Sequence, residues 1–301
     1  MRIFLTGATG FVGSHTVPEL LAAGHEVIGL TRSERGAAHL AAAGAQAHFG
    51  TLADADSLRD GAERADAVIH TAFDHDFANY VENCRADADV IALFGSVLRG
   101  SDRPLIVTSA TGMGDPGDGS PALESIFDAD HPIPRVATER AANAVLEMGV
   151  DVRVVRLPQV HDPVKQGLVS LYIDHVRAAG SVPYVGDGSN RWCAAHVSDV
   201  ARLYSLVLAQ GERGARYHAV AEEGVAFRDI AEAVAKGLDL PLRSVSAAEA
   251  PEHLSWLTMF VGIDMVASSA WTRLRLGWTP VGPDLLADLA AMDYRLDAAV
   301  S

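Results

Sequence analysis

Residues 6–14 read "TGATGFVGS" and follow directly on the apolar run Ile3–Leu5. Gly7, Gly10 and Gly13, spaced by three, suit a strand-to-helix turn pressed against a bulky anionic group. In such a turn the first glycine allows the tight bend, the second lets backbone approach a pyrophosphate, and the third brings helix and strand together. The turn stands after a first strand and opens a helix in a βαβ series, so it predicts a dinucleotide site in which Thr9, Phe11 and Val12 also take part.

Working outward, apolar runs rich in β-branched residues alternate with helical-period segments to about residue 160. This is the pattern of a parallel sheet with helices on both faces. Six strands are expected, at residues 2–6, 26–31, 45–49, 67–72, 104–109 and 152–157. A seventh is expected at 216–220. Gly24 and Gly149 stand where helix C-terminal caps belong. The alternation fails after Pro163, where a helix (166–179), short strands near "VPYVG" and "RWCAA", and a returning helix from Ser198 follow. The remainder, 224–301, reads as mostly helical, with Trp256, Trp271 and Trp278 as core anchors. The predicted fold is therefore α/β, a doubly wound parallel sheet with a smaller, mostly helical C-terminal substrate domain. Residues 1–163, with a return segment at about 196–222, form the dinucleotide-binding domain, and 164–195 with 223–301 form the smaller one.

Composition narrows the partners. The 301 residues are 49% apolar, with mean hydropathy +0.14, which suits a well-packed α/β enzyme and argues against disorder. Asp and Glu number 39 against 24 Lys and Arg, a formal charge of −15 that opposes phosphate backbones and anionic lipid. Neither nucleic acid nor membrane is expected as a partner. No apolar run nears the ~18 residues of a bilayer span, which places the chain in the cytoplasm. Cys84 and Cys193 are too few and too scattered for a disulfide framework, and no spacing suggests a metal site.

The second strand commonly ends in an acid that binds the adenosine ribose and repels a 2′-phosphate. Here it ends "GLTRSERG", where Thr31, Arg32 and Ser33 offer one cation and two hydroxyls. A guanidinium suits phosphate in charge and geometry, so NADP(H) is preferred over NAD(H). A solvated surface charge is the alternative for Arg32. Leu52, Thr71, Ala72, Phe73, Thr108, Leu157 and Pro158, at or near the carboxyl ends of strands, are expected to complete the cofactor site.

"TGATGFVG", "DAVIHTA", "VTSATGMGD", "VVRLPQVHDP" and "NRWCAAHVSDVARLY", with the closing "TRLRLGWTP", resemble the extended short-chain dehydrogenase/reductase family, also called the NAD-dependent epimerase/dehydratase family. The likeness spans almost the whole chain. It implies a Ser/Thr near the fifth strand, which Ser109 supplies, and a Tyr-x-x-x-Lys on the next helix. That helix instead places Arg135 at the Tyr position and Glu139 at the Lys position. Arginine is a very poor proton donor near neutral pH, and glutamate has the wrong sign to lower a phenol's pKa. The closest resemblance is thus to the family's atypical members.

Other groups are then candidates for the chemistry. Ser109 can donate to a carbonyl oxygen or simply bond its own loop. In "AFDHDFANY", His75 lies between Asp74 and Asp76, which suggests a raised pKa and a general acid; helix capping by the two acids is the competing reading. His161, past the sixth strand, is a third candidate. His70 reads as a core residue, and Asp199 as a cap for the helix at Ser198. Thr111, Met113, Arg135 and Arg191 are expected to line the substrate pocket, with "LSWLTMFVG" (254–262) as an apolar wall or simply core. The expected activity is reduction of a small carbonyl-type substrate by NADP(H) with a non-standard proton donor. An NADP(H)-binding redox sensor without turnover, or an epimerase or lyase that recycles its cofactor, are the alternatives. The resemblance implies pairing through helices at about 78–99 and 136–148, and so a homodimer.

Overall fold

The computed structural model describes residues 1–295. Its first half alternates strand and helix: β1 (Arg2–Thr6), α1 (Phe11–Ala22), β2 (Glu26–Thr31), α2 (Glu34–Ala43), β3 (Gln46–Phe49), α3 (Ala55–Glu63), β4 (Ala67–His70), α4 (Tyr80–Leu98), β5 (Pro104–Ala110), α5 (Val136–Glu147) and β6 (Asp151–Leu157). There follow β7 (Gln159–His161), α6 (Leu168–Ala179), β8 (Val182–Val185), β9 (Arg191–His196), α7 (Val197–Gln210), β10 (Arg216–His218), β11 (Glu222–Ala226), α8 (Phe227–Leu238) and β12 (Leu242–Val245). The chain closes with α9 (Ala250–Leu254), α10 (Thr258–Val261), α11 (Ala270–Leu276) and α12 (Leu285–Ala291).

Seven parallel strands run in the order β10-β6-β5-β4-β1-β2-β3. Both faces are covered, which is why the strands read as continuous apolar runs instead of alternating. Ile3 and Leu5 of β1 pack with α1 and α7, and Phe4 between them packs on the opposite side with α3 and α4. The winding reverses between β1 and β4, and a crevice at the carboxyl ends of the strands opens at such a point.

Beyond β6 a second body forms. It holds a three-stranded sheet, β11-β9-β7, and a parallel pair, β12-β8, around a core of Tyr172, Trp192, Phe227, Ile230, Leu254 and Leu285. Three strands in this region escape the sequence pattern, and β7 does so because it is three residues long and directly follows β6. β12 exposes three of its four residues, so no apolar alternation marks it, and β11 is broken by a register shift between Glu222 and Val225. Of the three expected Trp anchors, Trp278 is buried, whereas Trp256 and Trp271 keep 39% and 37% exposure because each lies on a short element at the rim. Asp199 does not cap α7. His196 does so, accepting from Ser198 N at 3.2 Å, while the buried Asp199 carboxylate accepts from Val281 N and Gly282 N and pairs with Arg202. Among the described residues no helix is long and apolar enough to cross a membrane.

Candidate functional site

The glycine turn sits at the reversal point. Gly7 has φ +69°, and a Cβ there would fall 2.7 Å from Ala72 N and from Thr71 Oγ1. A Cβ on Gly13 would fall 2.0 Å from Gly7 O. No side chain caps α1, so its first amides, from Phe11 onward, point into the crevice without a capping acceptor. Uncapped amides with the positive end of the helix dipole suit a pyrophosphate, and the glycines give it room, so these residues fit a dinucleotide. Thr71 is held by its hydroxyl, which donates to Thr6 O at 2.7 Å.

At the tip of β2, two of the three predicted groups are engaged locally. Thr31 is buried beneath α2, and Ser33 Oγ accepts from Gly36 N at 3.1 Å as the α2 cap. Arg32 remains exposed, with no ion-pair partner among the described residues. Thr9 is exposed at the turn, whereas Leu52, Leu157 and Pro158 are half-buried at strand ends.

The other end of the crevice is built on a buried polar chain. Thr6 donates to His70 Nδ1 at 2.6 Å, His70 Nε2 donates to Asp87 at 3.1 Å, and Thr138 donates to Asp87 at 2.6 Å. His70 is therefore the satisfied core residue that its place inside a strand predicts. Arg135 closes the chain: its Nη1 lies 3.3 Å from Asp87 Oδ2, its Nη2 donates to Thr108 O at 2.9 Å, and its Cζ stands 3.8 Å over the Phe73 ring. Burial alone would raise the Asp87 carboxyl, but Arg135, His70 and Thr138 outweigh it and hold the group ionised. Asp87 carries no motif that a sequence reading would flag. Its signal is that it falls on the buried stripe of α4 with Cys84, Ile91 and Phe94, where a lone carboxylate needs partners.

Two buried donors at this end lack hydrogen-bond partners, Ser109 Oγ and Arg135 Nη1. Ser109 shares the sheet face of Leu105 and Val107, the side on which α5 and Arg135 lie. Thr108 points to the other face, where its hydroxyl donates to His70 O and accepts from Tyr204. Glu139 lies fully buried, gripped by Arg156 at 2.7 and 2.8 Å and by Arg216 at 2.8 Å. Arg156 also donates to Met113 O, Leu123 O and Ile126 O, so this ionic knot shapes the loop over the cleft. Thr111 is buried in the same loop, with its hydroxyl 3.4 Å from Cys193 Sγ.

His75 departs from expectation. Asp74 and Asp76 spend their carboxylates on turn amides, accepting from Asp76 N and Ala78 N at 3.0 Å each. The His75 imidazole titrates below its usual range, because crowding disfavours its cation and because Arg135 and Lys165 repel it. The expected rise is thus reversed. Lys165, which sequence reading passed over, lies 5.9 Å from the Phe11 ring and forms no ion pair among the described residues. His161 is fully buried, donating from Nδ1 to Asp288 at 2.7 Å between β7 and α12; burial pulls its pKa down. Arg191 pairs with Asp264 at 3.2 Å on a half-exposed edge.

Residues 3–221 match the model of the NAD dependent epimerase/dehydratase family. The chain belongs to that family. It is 45% identical to an uncharacterized protein of Schizosaccharomyces pombe, C2A9.02, over 98% of this chain and 100% of that one. It is 28% identical to 2'-dehydrokanamycin reductase of Streptomyces kanamyceticus, over 85% of this chain and 74% of the other. Its fold is shared with dTDP-glucose 4,6-dehydratase DesIV from Streptomyces venezuelae, solved with NAD and TYD bound, at TM-score 0.75 and 23% identity over 98% and 96% of the two chains. Its family is one of NAD-dependent epimerases and dehydratases.

Proposed function

We infer that this member of the family is an NADP(H)-dependent reductase of a small carbonyl-type substrate. The observation that carries the reading is the buried Ser109 Oγ, which has no hydrogen-bond partner, beside Arg135, whose Nη1 is ion-paired to Asp87 but makes no hydrogen bond, at the places where the family sets its Ser and Tyr. Together they suit a carbonyl oxygen as negative charge develops on it. A bound nicotinamide would supply the hydride to the carbonyl carbon. Arg135 holds the resulting oxygen without giving up a proton. His75, open to solvent and edge-on to the Phe73 ring that Arg135 covers, relays a proton from water to that oxygen. His161 serves to join β7 to α12 and is left out of the step. In this reading residues 1–163 and 196–222 hold the cofactor, and 164–195 with 223–301 hold the substrate. The last six residues of the latter lie outside the described ones. Exposed Arg32 supports NADP(H) over NAD(H), and a homodimer would use the outer faces of α4 and α5, which pack side by side.

One feature favours a second reading. The Tyr and Lys positions hold Arg135 and Glu139, both tied into ion pairs, which suits a chain that binds NADP(H) and signals its redox state without turnover. Rapid mixing of the NADPH-loaded protein with aldehydes, ketones and quinones separates the two. Consumption of NADPH that falls at least about a hundredfold in Ser109→Ala supports the reductase. Tight binding without consumption across the panel supports the sensor. Arg32→Asp is expected to weaken NADPH about tenfold or more and to leave NADH nearly unchanged.

A further inference from the structure

A continuous band of rings runs outward from Arg135 and crosses from one side of the cleft to the other. Phe73, under the Arg135 guanidinium, meets His75 edge-on at 5.1 Å and Tyr80 at 6.1 Å. Tyr80 meets Phe77 at 5.4 Å. Phe77 then stacks on Trp256 of the second body, with centroids 4.8 Å apart and planes 17° from parallel, and Phe260 stands edge-on to both. Trp256 keeps 39% exposure, and Phe73, Phe77, Tyr80 and Phe260 are half-buried, so the band is a surface and not a sealed core.

Of the polar groups near it, Arg135 and Lys165 are the cations that act on His75. The two carboxylates in the band's loop are turned to backbone amides, and Arg191, the expected cation on the far side, is held by Asp264. At its inner end stand the Ser109 hydroxyl, which has no hydrogen-bond partner, and the guanidinium of Arg135, ion-paired to Asp87. A polyhydroxylated substrate needs many hydrogen-bonding side chains. A flat conjugated ring with one or two oxygens needs faces to stack on and a donor at one end.

We propose that the substrate of this cleft is a planar conjugated carbonyl compound, a quinone or an aryl ketone, stacked on the Phe73–Phe77–Trp256 band with its oxygen on Ser109 and Arg135. The proposal rests on the reductase reading for the fate of the carbonyl, but binding alone tests it. The Phe77–Trp256 stack joins the two bodies and parts to admit the ring between its two faces. Arg135, on the Phe73 face, fixes which end of the ring enters first.

The test is calorimetric titration of the NADP+-loaded chain, which cannot reduce anything, with 1,4-naphthoquinone and separately with UDP-glucose. Saturable naphthoquinone binding, weakened about tenfold by Trp256→Ala and by Phe77→Ala with thermal melts unchanged, is the expected result. Binding of UDP-glucose without naphthoquinone, or naphthoquinone affinity untouched by both substitutions, overturns it. Parallel NADPH assays keep the two readings apart. Naphthoquinone that binds and consumes no NADPH upholds the substrate class and removes the reductase, whereas turnover of an aliphatic ketone with no naphthoquinone binding does the reverse.

Discussion

Arg135 lies face-on to Phe73, Cζ 3.8 Å from the ring centre, while the edge of the same guanidinium is 3.3 Å from Asp87. One cation thus serves a π face and a buried carboxylate. Removing it leaves Asp87 charged and without its cation, so Arg135→Met is expected to lower unfolding free energy by about 3 kcal/mol in urea titrations. Arg135→Lys should restore only part of that, because an ammonium cannot lie flat on Phe73 and also reach Thr108 O. Equal stability of the Met variant and the parent would contradict the role given to this pair.

Glu139 is the hub of a second buried ionic group. Replacing it by Gln leaves Arg156 and Arg216 without their shared anion, with an expected loss of about 3 kcal/mol. Arg156 anchors the loop at Met113, Leu123 and Ile126, so proteolytic cleavage between residues 115 and 121 should also quicken. Putting the family's pair back, Arg135→Tyr with Glu139→Lys, is expected to give an unfolded or insoluble chain. A folded and more active double variant would show that the ionic group is dispensable.

The glycine turn makes a graded prediction. Gly13→Ala places a methyl 2.0 Å from Gly7 O and forces helix from strand, whereas Gly10→Ala meets Gly7 O at 3.2 Å, which a small shift relieves. Fluorescence titration with NADPH should find no binding in the first variant and measurable, weakened binding in the second. The reverse order would mean that the cofactor does not lie on this turn.

Acid should destabilise the fold through His218. The ring donates from Nδ1 to Ser268 O and accepts at Nε2 from Arg156, a neutral arrangement, and burial, then the Arg156 charge, hold its pKa down at about 3. Between pH 6.5 and 3 the unfolded chain binds a proton here that the folded chain does not, so stability present above pH 6.5 is lost as pH falls. The loss is about 1.4 kcal/mol per pH unit. His218→Gln, whose amide can both donate and accept, should flatten this part of the stability–pH curve in urea melts at pH 7 and 5.5.

The large sheet and the glycine turn were legible because their signals are local: β-branched runs, one tight glycine spacing, and caps such as Gly24. The ionic chains were not, since Asp87 meets Arg135 and Thr138 only after two helices pack, and Arg156 meets Glu139 only across strand and helix. Arg135 and Glu139 were readable as departures from a pattern, yet their partners were not. The rise expected for His75 failed for a related reason: its sequence neighbours are acids, but its spatial neighbours are Arg135 and Lys165. Trp256 read as core because helical spacing cannot tell a rim from an interior.

Asp199 takes its acceptors' partners from Val281 and Gly282, late in the chain, although α7 belongs to the large sheet. During synthesis a chain emerged as far as residue 218 already owns all seven strands and the glycine turn. It still carries a buried carboxylate whose backbone donors have not left the ribosome. Until residues 281 and 282 follow, Arg202 is the partner Asp199 has, so the polar interior of the nucleotide half is finished from the far end of the chain.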